Sequence, residues 1–360
     1  MKFIIFAGGV GTRLWPLSRK KSPKQFERVL GDKSTLQLTV DRILPLSSVD
    51  DIYISTGSRY TDLVAKNLEN LPKDHIIGEP QMRDVGPAVG LMTAIMSKIS
   101  PDEPVAIIWS DHIIKQESKF HQSLKAAENL IRQKKAHLVF ITQKARFPSQ
   151  NLGWIEYGDK FSVQDQLNIY KFQNLTYRPP LNQAENFFKS GHHSWNVGYF
   201  VTTARFLWHE YEKLTPGLFQ GLAKIQSSYG HQNFSKVLND IYPKLEKISF
   251  DEAILTRLNP KDALVITEEL GWSDIGAWEA LKEALQTSPE QNVVQGKVLL
   301  EGSRDSLIYN YTGQMIVGID VDGLLVVNTS DVILICHKNA VPKIKKVVEG
   351  LSGGENDHLT

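Results

Sequence analysis

The sequence predicts an α/β protein: a Rossmann-like, doubly wound, mostly parallel sheet followed by a small C-terminal β domain. Three observations carry that expectation. Short apolar runs alternate with stretches whose apolar residues recur near every 3.6 positions. The first run, Phe3–Phe6, breaks into a glycine turn at Gly8, Gly9 and Gly11. Near residue 288 the helical spacing gives way to short alternating runs separated by Gly, Asn and Asp.

In chain order, Phe3–Phe6, Ile52–Ser55, Val105–Trp109 and Leu138–Thr142 read as buried parallel strands. Between them Leu36–Ile43, Tyr60–Leu68, Gly86–Ile99 and Phe120–Gln133 read as helices. The middle is less regular. Gly153–Tyr157, Leu167–Leu175 and Asn196–Thr202 read as strands, and Gln183–Lys189, Phe206–Gln226 and Asn233–Leu245 as helices. Residues 1–287 are expected to form one domain and 288–360 a second. The second has strands at Val293–Val298, Ser306–Tyr309, Gln314–Asp320, Leu324–Asn328 and Val332–Cys336. No exact repeat is visible there. Lys343–Gly350 reads as a closing helix and Ser352–Thr360 as a frayed tail.

Composition narrows the partners. A formal net charge of +1 on 360 residues gives no basic surface for nucleic acid or a membrane. The run at the N-terminus is too short for a signal sequence or a membrane span, so a cytoplasmic protein is expected. One cysteine, Cys336, excludes an intramolecular disulfide framework. The ten histidines show no zinc-ligand spacing.

The chemistry begins at the glycine turn. A strand that ends in glycines lets backbone N–H groups approach an anion, and Arg13 and Lys24 place positive charge nearby. The turn lacks the Lys-Ser/Thr of a Walker A loop and the third glycine of a dinucleotide fingerprint. Asp111 follows the run Val105–Trp109, where a carboxylate can reach a metal held by nucleotide phosphates or simply cap the next element. Asp274 lies in Trp272-Ser-Asp-Ile-Gly-Ala-Trp278, either a second acidic position or an aromatic core corner. Gly78-Glu79-Pro80 with Arg83 is a surface turn or a carboxylate presented to a base. Asn196 offers both donor and acceptor to sugar hydroxyls, or begins a strand. Asp251 and Glu252 read as the acidic first turn of a helix.

Together, Gly-Gly-Val-Gly-Thr-Arg13, Trp15-Pro-Leu-Ser18 and Pro23-Lys-Gln-Phe26 resemble the signature of sugar-1-phosphate nucleotidyltransferases, most of all the mannose-1-phosphate guanylyltransferases. The resemblance covers nearly the whole chain in consistent motif order. It implies a nucleotide-diphospho-sugar transferase fold with a left-handed β-helix at the C-terminus, often used for homodimer contacts. It also implies a chain without the additional isomerase domain that some longer members carry. By the same resemblance, Ala7, Gly8, Gly9, Gly11, Thr12 and Arg13 wrap the triphosphate, and Glu79, Pro80 and Arg83 complete the nucleotide site. Asp111 and Asp274 hold Mg²⁺, while Gly153, Arg178 and Asn196 take the sugar phosphate, with Arg13, Lys24 and Arg178 catalytic. The implied reaction moves GMP from GTP to mannose 1-phosphate. The same chemistry with UTP or dTTP and glucose 1-phosphate, and a non-catalytic nucleotide-sugar sensor, are the competing readings. A dinucleotide-dependent oxidoreductase is more remote.

Two departures from the family pattern stand out. Arg83-Asp84-Val85-Gly86-Pro87 replaces Arg-Asn-Thr-Ala-Pro. Leu175-Thr-Tyr177-Arg178-Pro179 replaces Phe-Val-Glu-Lys-Pro, so Tyr177 stands where the family has a carboxylate that binds sugar hydroxyls.

Overall fold

The computed structural model describes residues 1–9, 11–29 and 31–360, and the Thr12 side chain also lies outside that description. The chain forms two compact units, each assembled from separate stretches. The first comprises Met1–Ala7, Asp41–Trp109 and Lys115–Leu270, and the second Gly8–Val40, Ser110–Ile114 and Gly271–Thr360.

The first unit is built on a nine-stranded sheet in the order Ile76–Glu79, Ile52–Gly57, Lys2–Phe6, Pro104–Trp109, His193–Thr203, Leu138–Lys144, Ala263–Glu268, Leu167–Thr176, Gly153–Gln164. The central strands are apolar on both faces because helices cover both, as in a parallel sheet. Phe3 lies in parallel register with both Ile52 and Ala106, fully buried. The sheet is mixed further on. His193–Thr203 runs antiparallel to Pro104–Trp109 and to Leu138–Lys144. The expected parallel strand at Leu138 is therefore parallel only to Ala263–Glu268, an apolar run that the sequence reading passed over.

Helix Val85–Ile99 is buried from Gly86 to Met96. Gly90 permits this closeness, since a Cβ there would lie 2.5 Å from Leu222 Cδ1. The expected helix Phe206–Gln226 is two helices, Ala204–Leu214 and Pro216–Ser228. Pro216 disfavours helical backbone at Thr215, whose φ and ψ are −136° and 59°. Pro243 acts similarly: helix Phe234–Ile241 ends before it, and a 3₁₀ turn, Tyr242–Lys244, follows.

In the second unit the short strands His112–Ile114 and Trp272–Asp274 pair antiparallel. Its C-terminal strands coil. Val293–Gln295, Leu307–Asn310 and Leu324–Asn328 pair in parallel, with Ile333–His337 antiparallel at the edge. Val298–Glu301 and Ile316–Ile319 form a separate parallel pair. The step is 14 residues from Val293 to Leu307 but 18 from Leu307 to Leu325 and from Val298 to Ile316, and at the 18-residue spacing Asn328 Nδ2 donates to Asn310 Oδ1, 3.1 Å. Asn310 also donates to the carbonyls of Lys297 and Gln314, and Asn292 to that of Ser303.

The tail expected to fray is docked instead. Trp15 Nε1–H donates to Leu359 O at 2.7 Å, Lys20 N–H donates to Thr360 O, and Thr360 is buried. The compact units also cut the chain differently from a division at 287/288. Leu14, Trp15, Leu17, Val29 and Ile113 share one apolar core with Tyr309, Leu325, Val327 and Ile344, so residues near both ends of the chain belong to one unit.

Candidate active site

In the second unit, antiparallel pairing sets Asp274 opposite His112, and Ile275 N–H donates to Asp111 O at 3.1 Å. The two aspartates predicted from distant motifs thus stand on adjacent backbone segments. Lys24 joins them. Its Nζ lies 2.7 Å from Asp111 Oδ2 and donates to Ile275 O at 2.8 Å. Gly11, at φ 64°, makes room for this lysine, because a Cβ there would lie 2.8 Å from Lys24 Cδ. Gln25 Nε2 donates to Gly9 O, tying the Pro-Lys-Gln-Phe segment to the glycine loop. On Gly276 a Cβ would come 3.3 Å from Arg13 Nη2 and 3.4 Å from Asp274 Oδ2, so both side chains border this glycine, and the Arg13 charge favours the ionised form of Asp274.

Electrostatics separates the two carboxylates. Burial alone would raise Asp111, but Lys24 and His112 outweigh it and bring the carboxyl down to about 2. Asp274 is raised by the protein packed about its carboxyl, with Lys24 opposing and Asp111 adding. Trp272 Nε1–H donates to His112 Nδ1 at 3.0 Å, which places the neutral imidazole's proton on Nε2. His112 Nε2 lies 3.8 Å from Asp111 Oδ1. The bond accepted from Trp272 gives His112 a hydrogen-bonding role, while the separation from Asp111 is too long for one.

Two carboxylates form a hard oxygen donor set that fits Mg²⁺, which keeps most of its remaining positions for water and phosphate oxygens. Among the described residues no group of three or more His, Cys, Asp or Glu could hold a metal ion by itself.

The first unit carries the other predicted residues in two groups. Glu79 ends the edge strand Ile76–Glu79, where Ser55 Oγ donates to Oε1 at 3.1 Å and Tyr242 OH to Oε2 at 2.6 Å. Burial raises the Glu79 carboxyl to about 7 against these two bonds. Each oxygen retains a lone pair for a further donor. Arg83, expected at the nucleotide, donates its Nε–H to Leu245 O at 2.7 Å and its Nη2–H to the same carbonyl. Asp84, at φ 71°, caps helix Val85–Ile99. Gly86 stands where the family has Ala because Ile248 O would lie 2.6 Å from a Cβ.

In the second group Gly153 lies opposite Asn196 in the strand pair. A Cβ on Gly153 would lie 3.2 Å from Asn196 Cβ. Asn196 Oδ1 accepts from Gly198 N–H at 3.0 Å, and its Nδ2 donates to Asp251 Oδ1 at 2.8 Å. Asn196 is thus largely committed within the protein, rather than free to offer both functions. Arg178, in left-handed backbone at φ 47°, stacks its guanidinium 5.0 Å from the Tyr177 ring. Asp251 is the residue that the sequence reading set aside. At the start of helix Phe250–Ala253, Ser249 Oγ accepts from Glu252 N–H and donates to Glu252 Oε2, while Asp251 Oδ1 accepts from Asn196. The signal was present in Ser249-Phe-Asp-Glu252, where the Ser-x-x-Glu spacing pairs Ser249 with Glu252 and separates Asp251 from that pair.

The mixed α/β sheet of the first unit and, in the second, a glycine turn beside Lys24, Asp111 and Asp274 fit the class of nucleotidyltransferases that work on a sugar 1-phosphate. Comparison with known proteins agrees. Residues 2–291 match the nucleotidyl transferase family model, and 296–351 match that of the mannose-phosphate isomerase/GMP-like β-helix domain. A mannose-1-phosphate guanylyltransferase of Escherichia coli K12 is 30% identical over 99% of this chain and 74% of its own length. One from Salmonella montevideo is 32% identical over 99% and 75%. A crystal structure from Thermus thermophilus, described as a mannose-1-phosphate geranyltransferase, shares the fold with a TM-score of 0.85 at 22% identity. It covers 98% of this chain and 99% of that one. The chain belongs to the nucleotidyl transferase family, among the mannose-1-phosphate guanylyltransferases. No helix among the described residues is long and apolar enough to cross a membrane.

Proposed function

We propose that the chain transfers GMP from GTP to mannose 1-phosphate, releasing pyrophosphate and forming GDP-mannose. A phosphate oxygen of the sugar phosphate forms a bond to the α-phosphorus, and the bond from that phosphorus to the pyrophosphate oxygen breaks. The nucleophile is already anionic at neutral pH, so no strong general base is needed. The difficulty is electrostatic, because two polyanions must meet. The observation that carries the reading is Lys24 on Asp111 with Asp274 one strand away.

The backbone of Gly8, Gly9 and Gly11 approaches the triphosphate, and Arg13 and Lys24 offset its charge. Bound between Asp111 and Asp274, Mg²⁺ would supply further charge neutralisation at the phosphates. Glu79 accepts from the N1–H and amino group of guanine, while Ser55 and Tyr242 hold it still. Arg178 takes the sugar phosphate, and Gly153 with Asn196 takes the hexose. A homodimer through the C-terminal strands fits the same reading. Exposed Leu299, Val317, Ile319, Ile333 and Ile335 on those strands support it, and a solution mass equal to one chain would count against it.

The test is pyrophosphate release with Mg²⁺, each of GTP, ATP, CTP, UTP and dTTP, and a panel of hexose 1-phosphates. Release with GTP and mannose 1-phosphate above all other pairs is expected. Preference for UTP or dTTP would sink the guanylyl assignment, and no release from any pair would sink the reaction.

A further inference from the structure

We propose that Asp251 is the carboxylate that holds the hexose hydroxyls, in place of the glutamate that Tyr177 has displaced. The inference rests on the assignment of Gly153 and Asn196 to the sugar. A hexose presents hydroxyls that must donate as well as accept, and a buried site lacking acceptors would leave those donors unpaired. Position 177 supplies no carboxylate, only a single hydroxyl on a ring that packs partly buried against the core and under the Arg178 guanidinium. Asn196 has little left to give. Its Oδ1 is taken by Gly198 N–H and one Nδ2 hydrogen by Asp251, so its remaining free group is a donor.

Asp251 fills the gap. Its Oδ1 would lie 3.7 Å from a Cβ on Gly153, so the space that the missing side chain leaves open is bounded by Asn196 and Asp251 together. The helix start takes only part of the capacity of Asp251: the carboxyl accepts from its own backbone N–H, while Ser249 and Glu252 bond each other. The charged and titratable neighbours are Arg178, Glu252 and Tyr177. Burial raises the Asp251 carboxyl to about 6, which leaves it mostly ionised, an acceptor, at neutral pH.

The test compares wild type with Asp251→Asn, which keeps shape and removes charge and one acceptor, and with Asp251→Asn/Tyr177→Glu, which restores a carboxylate at the displaced position. The readouts are KM for GTP, KM for the preferred hexose 1-phosphate and its monodeoxy analogues, and calorimetric binding of the hexose 1-phosphate. Losing hydrogen bonds to a charged acceptor should raise the sugar-phosphate KM about 10- to 100-fold with KM for GTP unchanged. The analogue lacking the contacted hydroxyl should lose its difference between wild type and variant. The double variant should recover part of the loss. An unchanged sugar-phosphate KM and binding in Asp251→Asn overturns this inference alone. So does an equal loss for every deoxy analogue, which marks a residue that only positions Asn196. A wild type that neither turns over nor binds any hexose 1-phosphate overturns the sugar assignment and this inference with it.

Discussion

Glu79→Gln should make the protein more stable at pH 8 while damaging guanine recognition. In the folded chain burial raises this carboxyl from its ordinary 4.5 to about 7, even though Ser55 and Tyr242 both donate to it. The unfolded chain releases the proton near 4.5, and the folded chain holds it until about 7. Stability is therefore full below the lower value, falls as pH rises between the two, and is flat above the upper one. That interval corresponds to at most about 3 kcal/mol of folding free energy lost by pH 8. Glutamine has nearly the same shape and never ionises, and the hydroxyls of Ser55 and Tyr242 can rotate to accept from its amide. Urea unfolding followed by tryptophan fluorescence should give matching stabilities near pH 4. At pH 8 it should show the variant ahead by a margin approaching that bound. In turnover assays at pH 8 the KM for GTP should rise about 10-fold or more, because an amide presents only one acceptor to two guanine donors. Wild type and variant losing stability in parallel across this range would refute the argument that Glu79 is held against its own ionisation.

Three other outcomes follow from the geometry. Asp274→Asn should lower pyrophosphate release at least about 100-fold with little change in unfolding midpoint, and near-wild-type turnover would remove Asp274 from the metal site. Gly198→Ala should cost several kcal/mol, on the order of 3 or more. The glycine has φ 77° and a Cβ there would lie 2.2 Å from Trp109 Nε1, so an unchanged melting temperature would contradict the packing. Asn310→Ala should destabilise the coiled strands by about 2 to 4 kcal/mol, read by denaturant unfolding, since it strips the donors to Lys297 O and Gln314 O and the acceptor for Asn328 Nδ2.

Much of this was legible in the sequence because local chemistry demanded it. Apolar runs ending in glycine gave the strands and the anion loop, and carboxylates at strand ends marked Asp111. What escaped depended on partners far away in the chain. The insertion of His193–Thr203 between two strands of like direction is a pairing choice with no local signature. The coil hid because its steps are unequal, 14 residues from Val293 to Leu307 and 18 from Leu307 to Leu325, and because the apolar positions vary, as Tyr309 does against Val327. The docked tail is polar and short, and it is held by Trp15 from the other end of the sequence. Asp251 was passed over because two acidic residues at a helix start look equivalent, and only the Ser249–Glu252 pair separates them.

Three of the four candidate-site carboxylates show how charge is apportioned; the fourth, Asp274, is raised by burial and by Asp111 and lies in the field of Lys24 and Arg13. Asp111 carries its own counterion in Lys24 and is ionised at every physiological pH. Among the described residues, Glu79 and Asp251 have no such ion-pair partner. Each is hydrogen-bonded by neutral donors, Ser55 and Tyr242 for one and Asn196 with its own backbone N–H for the other, and each is raised by burial, which the Arg178 charge offsets only in part at Asp251. A carboxylate with a built-in cation would gain little from the neutral N–H and O–H groups of a base or a sugar. A carboxylate left under-satisfied gains most from them, because the ligand supplies what desolvation removed. Under the proposed function the lysine is thus placed where the ligand brings negative charge, and the unpaired acids where it brings only hydrogen-bond donors. Donors bound at Glu79 and Asp251 would offset part of the desolvation that raises these two carboxyls in the free protein.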